Sequence, residues 1–573
     1  MSENPFEVLK EDMENEEVYL KVNAMHRVRV VATLLGSDKI KSQLIPYFET
    51  LLKKEDDEVL FALSEELGNI AQIIPNQSSC LLPLLEQLAG FDETVVREQA
   101  VKSITIVCGF LGDNEIANTI VPMIIRLASN DTNFTCRVSA VSLMCPLYAR
   151  AGNQKEKIRQ KFTELCSEET PMVRRAVATK IGEIAQFMDK IHVIQDLIPV
   201  LKQLCQDEQD QVRLLCMESL MNIAKILNSG ENKTNILPLI IQSAEDKSWR
   251  VRLALSKIFA DLAEAVGKEI ADSSLIQIFS NLLKDIECDV RVIAVKSLVR
   301  FIKFVSPEKL NLIVPLLQLL SKDPFSQVKQ NACEVIGQIA SLLPKEYSQS
   351  KLQQYLIDLM ADDNQDVRRN AAKSAGQFAA AIGPEALNQF VPFLKKCMDD
   401  PKWRVRKETM QTIIQLALTV KNPDVFNKQL ESVFVMFLKD RAAEVRSMGL
   451  SQLPALIATY KQEWAVGNFL SKCVETLSKD VGSLYRINAL YAIQQIAYSV
   501  DGPVAQDRLW PIVQKCLKDP VPNIKFVSIR VAKSLSKKID NQQTLNQIKQ
   551  AINELVEDPD RDVKFYAQEA LQN

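Results

Sequence analysis

Hydrophobic and polar residues recur along this chain in a fixed order. Residues 350–361, SKLQQYLIDLMA, place apolar side chains at helical spacing. A polar stretch, DDNQD, follows at 362–366, with aspartates suited to capping a helix. Residues 367–383, VRRNAAKSAGQFAAAIG, then form a second amphipathic pattern that closes on Gly383, a C-terminal cap signal. The pattern predicts two helices joined by a short turn.

The same unit returns along the whole chain. The words DKSWRVR (246–252) and DPKWRVR (400–406) are two copies of one corner. The marker is the residue that completes each V-R pair or its equivalent. Markers fall at Lys21, Leu60, Arg97, Arg137, Arg174, Arg213, Arg252, Arg291, Lys329, Arg368, Arg406, Arg446, Arg486, Lys525 and Lys564. These define 15 repeats with a mean spacing of about 39 residues, a period typical of helical repeat arrays. Leu60 is the one marker that is not basic.

Two further rulers keep the same register. Aspartate precedes the marker by six residues at 131, 207, 246, 285, 323, 362, 400, 440, 480, 519 and 558. Proline interrupts an apolar run at 46, 83, 122, 199, 238, 315, 392 and 511, early in the first helix of a repeat, where it is tolerated or bends the axis. In the fifth repeat, Thr170-Pro171 reads as an N-cap followed by proline at the first helical position.

One hairpin of helices cannot bury both of its apolar faces, but a stack of them can. The expected fold is therefore all-α, an α-solenoid or superhelix of about 15 helix-turn-helix repeats, in one continuous body over 1–573. The marker base and the aspartate share a corner in every repeat. We expect each base to bond the aspartate of the adjacent repeat, as a ladder along the turn edge.

Composition narrows the function. Glycine is scarce, with 16 in 573 residues, which argues against a turn-rich β fold. The net charge is −3, so charge gives no reason to expect nucleic-acid binding. No apolar run reaches membrane-spanning length, and the acidic start MSENPFEVLKEDMENEE is unlike a signal peptide. A cytosolic or nuclear chain is expected, and the sequons at Asn76, Asn133 and Asn232 then carry little meaning. The 12 cysteines include no CxxC and are expected to be reduced core residues.

No catalytic constellation is spelled. The two histidines, His26 and His192, lie four repeats apart, which rules out a histidine triad or metal cluster in a stiff stack. Ser534 and Lys537 fit S-x-x-K, but within a predicted helix. DDNQD lacks the glycine and closing glutamate of a calcium loop. No enzyme, metal or cofactor is expected. What remains is surface. Trp249 and Trp403 stand three residues before their markers, each followed by arginine, and a large amphipathic ring on a turn suits a binding hot spot. Either ring could instead cover the end of its own helix pair. Trp464 and Trp510 lie in first helices and are expected in the core.

Local phrases go further than periodicity. DETVVREQAV (92–101), TPMVRRAVATKIGEIAQ (170–186), DEQDQVRLL (207–215), AEDKSWRVR (244–252), KQEWA (461–465) and DVKFYAQEAL (562–571) resemble the scaffolding A subunits of type 2A serine/threonine protein phosphatases, a family of HEAT-repeat proteins, in order over essentially the whole chain. The resemblance implies a non-catalytic platform without cofactors that joins heterodimers or heterotrimers. Repeats 1–10 would span 6–395, with a variable regulatory B-type subunit mainly on repeats 1–8. Repeats 11–15, 396–573, would hold the catalytic subunit. Carried over by position, regulatory contacts would include Arg97, Pro171, Met172, Arg174, Arg175, Trp249 and Arg250. Catalytic-subunit contacts would include Trp403, Arg404, Arg486, Asn523 and Lys525. The family commonly has tyrosine where this chain has Ala443 and Ser483. Another HEAT-repeat adaptor or a nuclear-transport-type receptor would explain the repeats but not these phrases.

Overall fold

The structure is a computed structural model that describes residues 4–129, 131–422, 424, 427–428, 431–477 and 482–572. Every regular element among the described residues is helical. By its contacts the chain divides into two units, residues 1–297 with 304–306, and residues 298–303 with 307–573. Each unit is an α-solenoid of stacked helix pairs.

Within each unit the second helices of successive repeats pack side by side. In the first unit, Pro171–Ala185 lies against Asp210–Ala224, which lies against Trp249–Val266. In the second, Ser326–Ile339 lies against Gln365–Ile382, which lies against Trp403–Val420. Each helix gives its apolar positions to this contact. In Trp249–Val266, Val251, Leu255, Phe259, Leu262 and Val266 are all buried. Trp464 and Trp510 are buried in first helices, as expected.

Close approach of second helices requires small residues. A Cβ on Gly182 would sit 2.7 Å from the Ser219 Cα, and one on Gly337 would sit 3.0 Å from the Ser374 carbonyl oxygen. Hydroxyls at the facing position bond across the stack. Ser103 Oγ donates to the Ser64 carbonyl (2.6 Å), Ser219 Oγ to Ala178 (2.8 Å), and Thr412 Oγ1 to Ala372 (3.0 Å). Each bond joins consecutive repeats in the core, and the repeat spacing did not reveal it.

Several first helices accommodate proline beside a π-helical turn. A π-helical turn precedes the proline-bearing segment at Ile40–Leu44, Ile116–Ile120, Val193–Leu197 and Ala505–Leu509. The wider turn recurs at Ala271–Leu275 and Ala465–Phe469, where no proline follows. The wider turn therefore does not depend on proline, and Pro315 and Pro392 sit within continuous α-helices without it.

Gly383 ends its helix as expected, with φ +117° and its N–H bonded to the Ala379 carbonyl. Gly36 and Gly267 hold the same place in repeats 1 and 7 with positive φ. Lys421 (φ 52°) and Lys461 (φ 73°) occupy that place in repeats 11 and 12. Asn364 caps the DDNQD turn by accepting from the N–H groups of Asp366 and Val367. Thr170 is the N-cap of Pro171–Ala185, but its hydroxyl makes no capping bond.

Candidate functional site: the turn edge

The turns between first and second helices form an edge in each unit, built on the expected ladder. The guanidinium of Arg174 meets Asp207 at 2.5 Å, Arg213 meets Asp246 at 2.7 Å, and Arg252 meets Asp285 at 2.6 Å. In the second unit Arg368 meets Asp400 and Arg406 meets Asp440, each at 2.6 Å, Lys525 meets Asp558 at 2.7 Å, and Lys329 and Arg486 pair with Asp362 and Asp519. Asp480, the expected acceptor for Arg446, lies outside the described residues.

Each rung ties three things together. The arginine also donates back to carbonyls of its own turn, as Arg213 does to Asp207 and Glu208. The aspartate accepts from the backbone N–H two residues on, as Asp246 does from Ser248 at 2.8 Å. Burial alone would push the Asp246 and Asp440 carboxyls up. The arginine and turn N–H bonds outweigh it and hold both below the usual carboxylate range. The rung therefore fixes the shape of the turn as well as the spacing of repeats.

The ladder is weaker at its start. Lys21 pairs with Glu55, Leu60 is a core residue, and Arg97 bonds the carbonyls of Phe91 and Asp92 and the Thr94 hydroxyl. Among the described residues Arg97 reaches no carboxylate, although Asp131 stands at the expected place. Arg137 uses Glu168, at 3.4 Å, in place of an aspartate.

This geometry sorts the candidate contact residues. Arg97, Arg174 and Arg486 are buried and Lys525 half-buried, and all four are held within the turn or the ladder. The remaining candidates stand on the turn surface. Pro171 starts its helix half-buried, Met172 is 48% exposed, and an Arg175 N–H points at the Met172 sulfur. Trp249 and Trp403 each begin a second helix, half-buried, with the next arginine over the ring at 5.1 Å for Arg250 and 4.7 Å for Arg404. The cation–π pair holds an aromatic face and a charge together at the surface. Asn523 is exposed, as are Ala443 and Ser483, and Leu484 presents an apolar chain beside Ser483.

Other apolar residues on the edge had gone unnoticed in the sequence. Tyr19, Val95 and Ile286 are exposed within five residues of their markers, Ile286 by 85%. Counting back from each marker would have found them.

No group of three or more His, Cys, Asp or Glu side chains suited to a metal occurs among the described residues. No helix among them is long and apolar enough to cross a membrane. All 12 cysteines are free, and burial pushes the Cys108 and Cys145 thiols up to about 12, far from a reactive thiolate. Ser534 donates to the Arg530 carbonyl within its helix. His26 faces Glu66 and His192 faces Asp196.

Comparison with known proteins finds HEAT-repeat similarity in parts of the chain. Family models described as HEAT repeats, as a PPP2R1A-like HEAT repeat, and as a PIK3R4-like middle domain match residues 313–414, 268–343 and 137–266. The beta isoform of the human 65 kDa regulatory A subunit of serine/threonine-protein phosphatase 2A is 46% identical over 374 residues, 64% of this chain and 62% of that protein. A Dictyostelium discoideum protein phosphatase 2A scaffold subunit is 35% identical over 200 residues, and a Schizosaccharomyces pombe regulatory A subunit of protein phosphatase PP2A is 36% identical over 200 residues; each match covers 34% of both chains. The matched stretch thus spans less than two thirds of each relative's length. These relatives are named as regulatory or scaffold subunits, not as catalytic ones. Among solved structures, an importin-β covers 99% of this chain and 78% of its own at TM-score 0.57 and 14% identity, a likeness of fold alone.

Proposed function

We propose that this chain, a HEAT-repeat protein similar in sequence to the 65 kDa regulatory A subunits of protein phosphatase 2A, is a non-catalytic scaffold for a type 2A serine/threonine phosphatase. In this reading a variable regulatory subunit docks on turns of repeats 1–8, including those of Met172, Arg175, Trp249 and Arg250. The catalytic subunit docks on repeats 11–15, 396–573, at Trp403, Arg404 and Asn523. Arg97, Arg174, Arg486 and Lys525 contribute by holding those turns in shape. The complex forms in the cytosol or nucleus.

The observation that carries this reading is the pair of tryptophan–arginine corners, at Trp249 and Trp403, within a chain 46% identical over its matched stretch to a phosphatase 2A scaffold relative. A rigid row of turns suits such a role. Two proteins bound to one chain have a raised mutual effective concentration, which brings an active site to selected substrates.

A capture experiment tests it. The wild-type chain is expected to retain a type 2A catalytic subunit, and Trp403→Ala with Arg404→Ala to lose it while unfolding at an unchanged temperature. Failure of the wild-type chain to capture any phosphatase would overturn the proposal.

A further inference from the structure

The far ends of the second helices, remote from the turn edge, carry polar chemistry of their own. Helices Ser483–Ser499 of repeat 13 and Pro522–Ser536 of repeat 14 pack side by side, and neither contains an acidic residue. Tyr498 lies 12 residues beyond the marker Arg486, about 18 Å along its helix from the turn. Three side chains meet there across the two helices. The Gln494 amide donates to the Tyr498 hydroxyl at 3.1 Å and to the Ser534 hydroxyl at 3.0 Å, and the two hydroxyls stand 3.3 Å apart. Ser534 is 9% exposed and gives its own proton to the Arg530 carbonyl at 3.0 Å. Tyr498 is 51% exposed, and its O–H, left with only the long contact to Ser534, is free to turn outward.

Bases surround this cluster. Arg530, Ser534 and Lys537 follow at helical spacing with Lys533 beside them, so the S-x-x-K pattern of 534–537 belongs to a basic stripe. Arg530 and Lys537 are exposed and Lys533 is half-buried. Among the described residues none of these three bases forms an ion pair, and Arg530 lies over the Tyr566 ring at 4.4 Å. Asp501 and Asp540 stand past the helix ends, where Asp501 accepts from Gln462 and from the Val504 N–H, and Glu569 stands on the next second helix, Arg561–Gln572. The carbonyl end of a helix carries roughly half a negative charge, less than the three cations gathered beside it.

We infer that this cluster binds the phosphoryl group of a phosphorylated peptide. The Tyr498 O–H and the Lys533 and Lys537 ammoniums offer donors from two helices, which suits the three oxygens and nearly double charge of a phosphate ester. A carboxylate, with two oxygens and one charge, satisfies fewer of them. The face is open, so a free phosphate ion would stay hydrated on one side, whereas a peptide adds apolar contact with the exposed Tyr498 ring. Gln494 and Ser534 are positioning residues that fix the Tyr498 hydroxyl. The site is separate from the turn edge and does not depend on the scaffold reading.

Fluorescence anisotropy on the full chain tests it, with a labelled synthetic peptide carrying phosphoserine between leucines and with its unphosphorylated twin. The phosphopeptide is expected to bind about tenfold more tightly than the twin. Lys533→Gln with Lys537→Gln is expected to remove that preference. Tyr498→Phe, which keeps the ring and deletes the hydroxyl, is expected to reduce it about threefold. Lys395→Gln with Lys396→Gln, exposed bases on a first helix, is expected to leave it unchanged, and every variant to unfold at the wild-type temperature. Equal affinity for the two peptides, or a preference that survives both the lysine pair and the Tyr498 substitution, would overturn the proposal. Should the lysine pair lower the unfolding temperature, the Tyr498→Phe result decides. Displacement of the phosphopeptide by an equal concentration of inorganic pyrophosphate would overturn the peptide assignment and make this a site for free phosphates.

Discussion

Repeats 1–3 and repeats 5–7 of the first unit share one architecture and differ in how their turns are tied. In repeats 5–7 each marker arginine reaches an aspartate of the next turn, from Arg174–Asp207 to Arg252–Asp285. In repeats 1–3 the one comparable pair is Lys21–Glu55, since Leu60 joins the core and Arg97 bonds only its own turn. The apolar stacking of second helices is present in both. The ladder is therefore not what makes the helices stack. It adds register and stiffness to the turn edge, where a half-buried ion pair fixes geometry more than it adds net stability. Repeats 5–7 can present rigid turns, whereas repeats 1–3 can open locally at lower cost.

The largest test removes one rung. Arg213→Met leaves Asp246 half-buried without its guanidinium and is expected to cost about 2–3 kcal/mol. Arg97→Met strands no carboxylate and is expected to cost about 1 kcal/mol. Equal losses of amide-exchange protection in the two variants would break the comparison.

Crowding between second helices tests the shared part of the architecture. Gly182→Ala places a methyl 2.7 Å from the Ser219 Cα, where the backbone must move. A loss of about 1–3 kcal/mol is expected, whereas Gly109→Ala, with nothing within 4 Å, is expected to be neutral or stabilising in chemical denaturation.

Acid should erase the contrast. The Asp246 carboxyl is held below its ordinary value in the folded chain, so its stabilising contribution is present at neutral pH. That contribution is lost as pH falls below about 4 and through the depressed folded value. Exchange protection at the turns of repeats 6 and 7 is expected to decline toward that of repeats 2 and 3 over this range. A difference that persists once pH has fallen below the depressed folded value would show that something other than the ladder stiffens repeats 5–7.

The smallest effect concerns a position common to many repeats. Lys461 adopts φ 73° and ψ 166°, close to Gly36 at φ 76° and ψ 167° in repeat 1. A side chain there costs about 1–3 kcal/mol, so Lys461→Gly is expected to raise stability, less the added unfolded-state entropy of glycine, for a net gain of about 1 kcal/mol. An unchanged or lower midpoint in denaturant would contradict it.

The sequence by itself determined the helical repeat, its period and the ladder. These depend on spacing, and spacing survives in one dimension: the marker base and the next aspartate are 33 residues apart in Arg174–Asp207 and Arg213–Asp246 alike. It also marked the tryptophan–arginine corners, because a rare large residue recurs at a fixed offset. Tertiary structure alone decided what each side chain faces. Arg97 and Arg213 hold the same marker position in their repeats, yet the first bonds its own turn and the second also reaches Asp246. The hydroxyl of Ser219 reaches the Ala178 carbonyl because Gly182 lets two helices close together, a three-body arrangement that no single ruler records. Of the arginines at the candidate site, the ladder consumes Arg174 and Arg486 and leaves Arg250 and Arg404 at the surface. Arg250 and Arg252, two positions apart on one helix, point to different neighbours, and the stack of repeats settles which of them meets solvent.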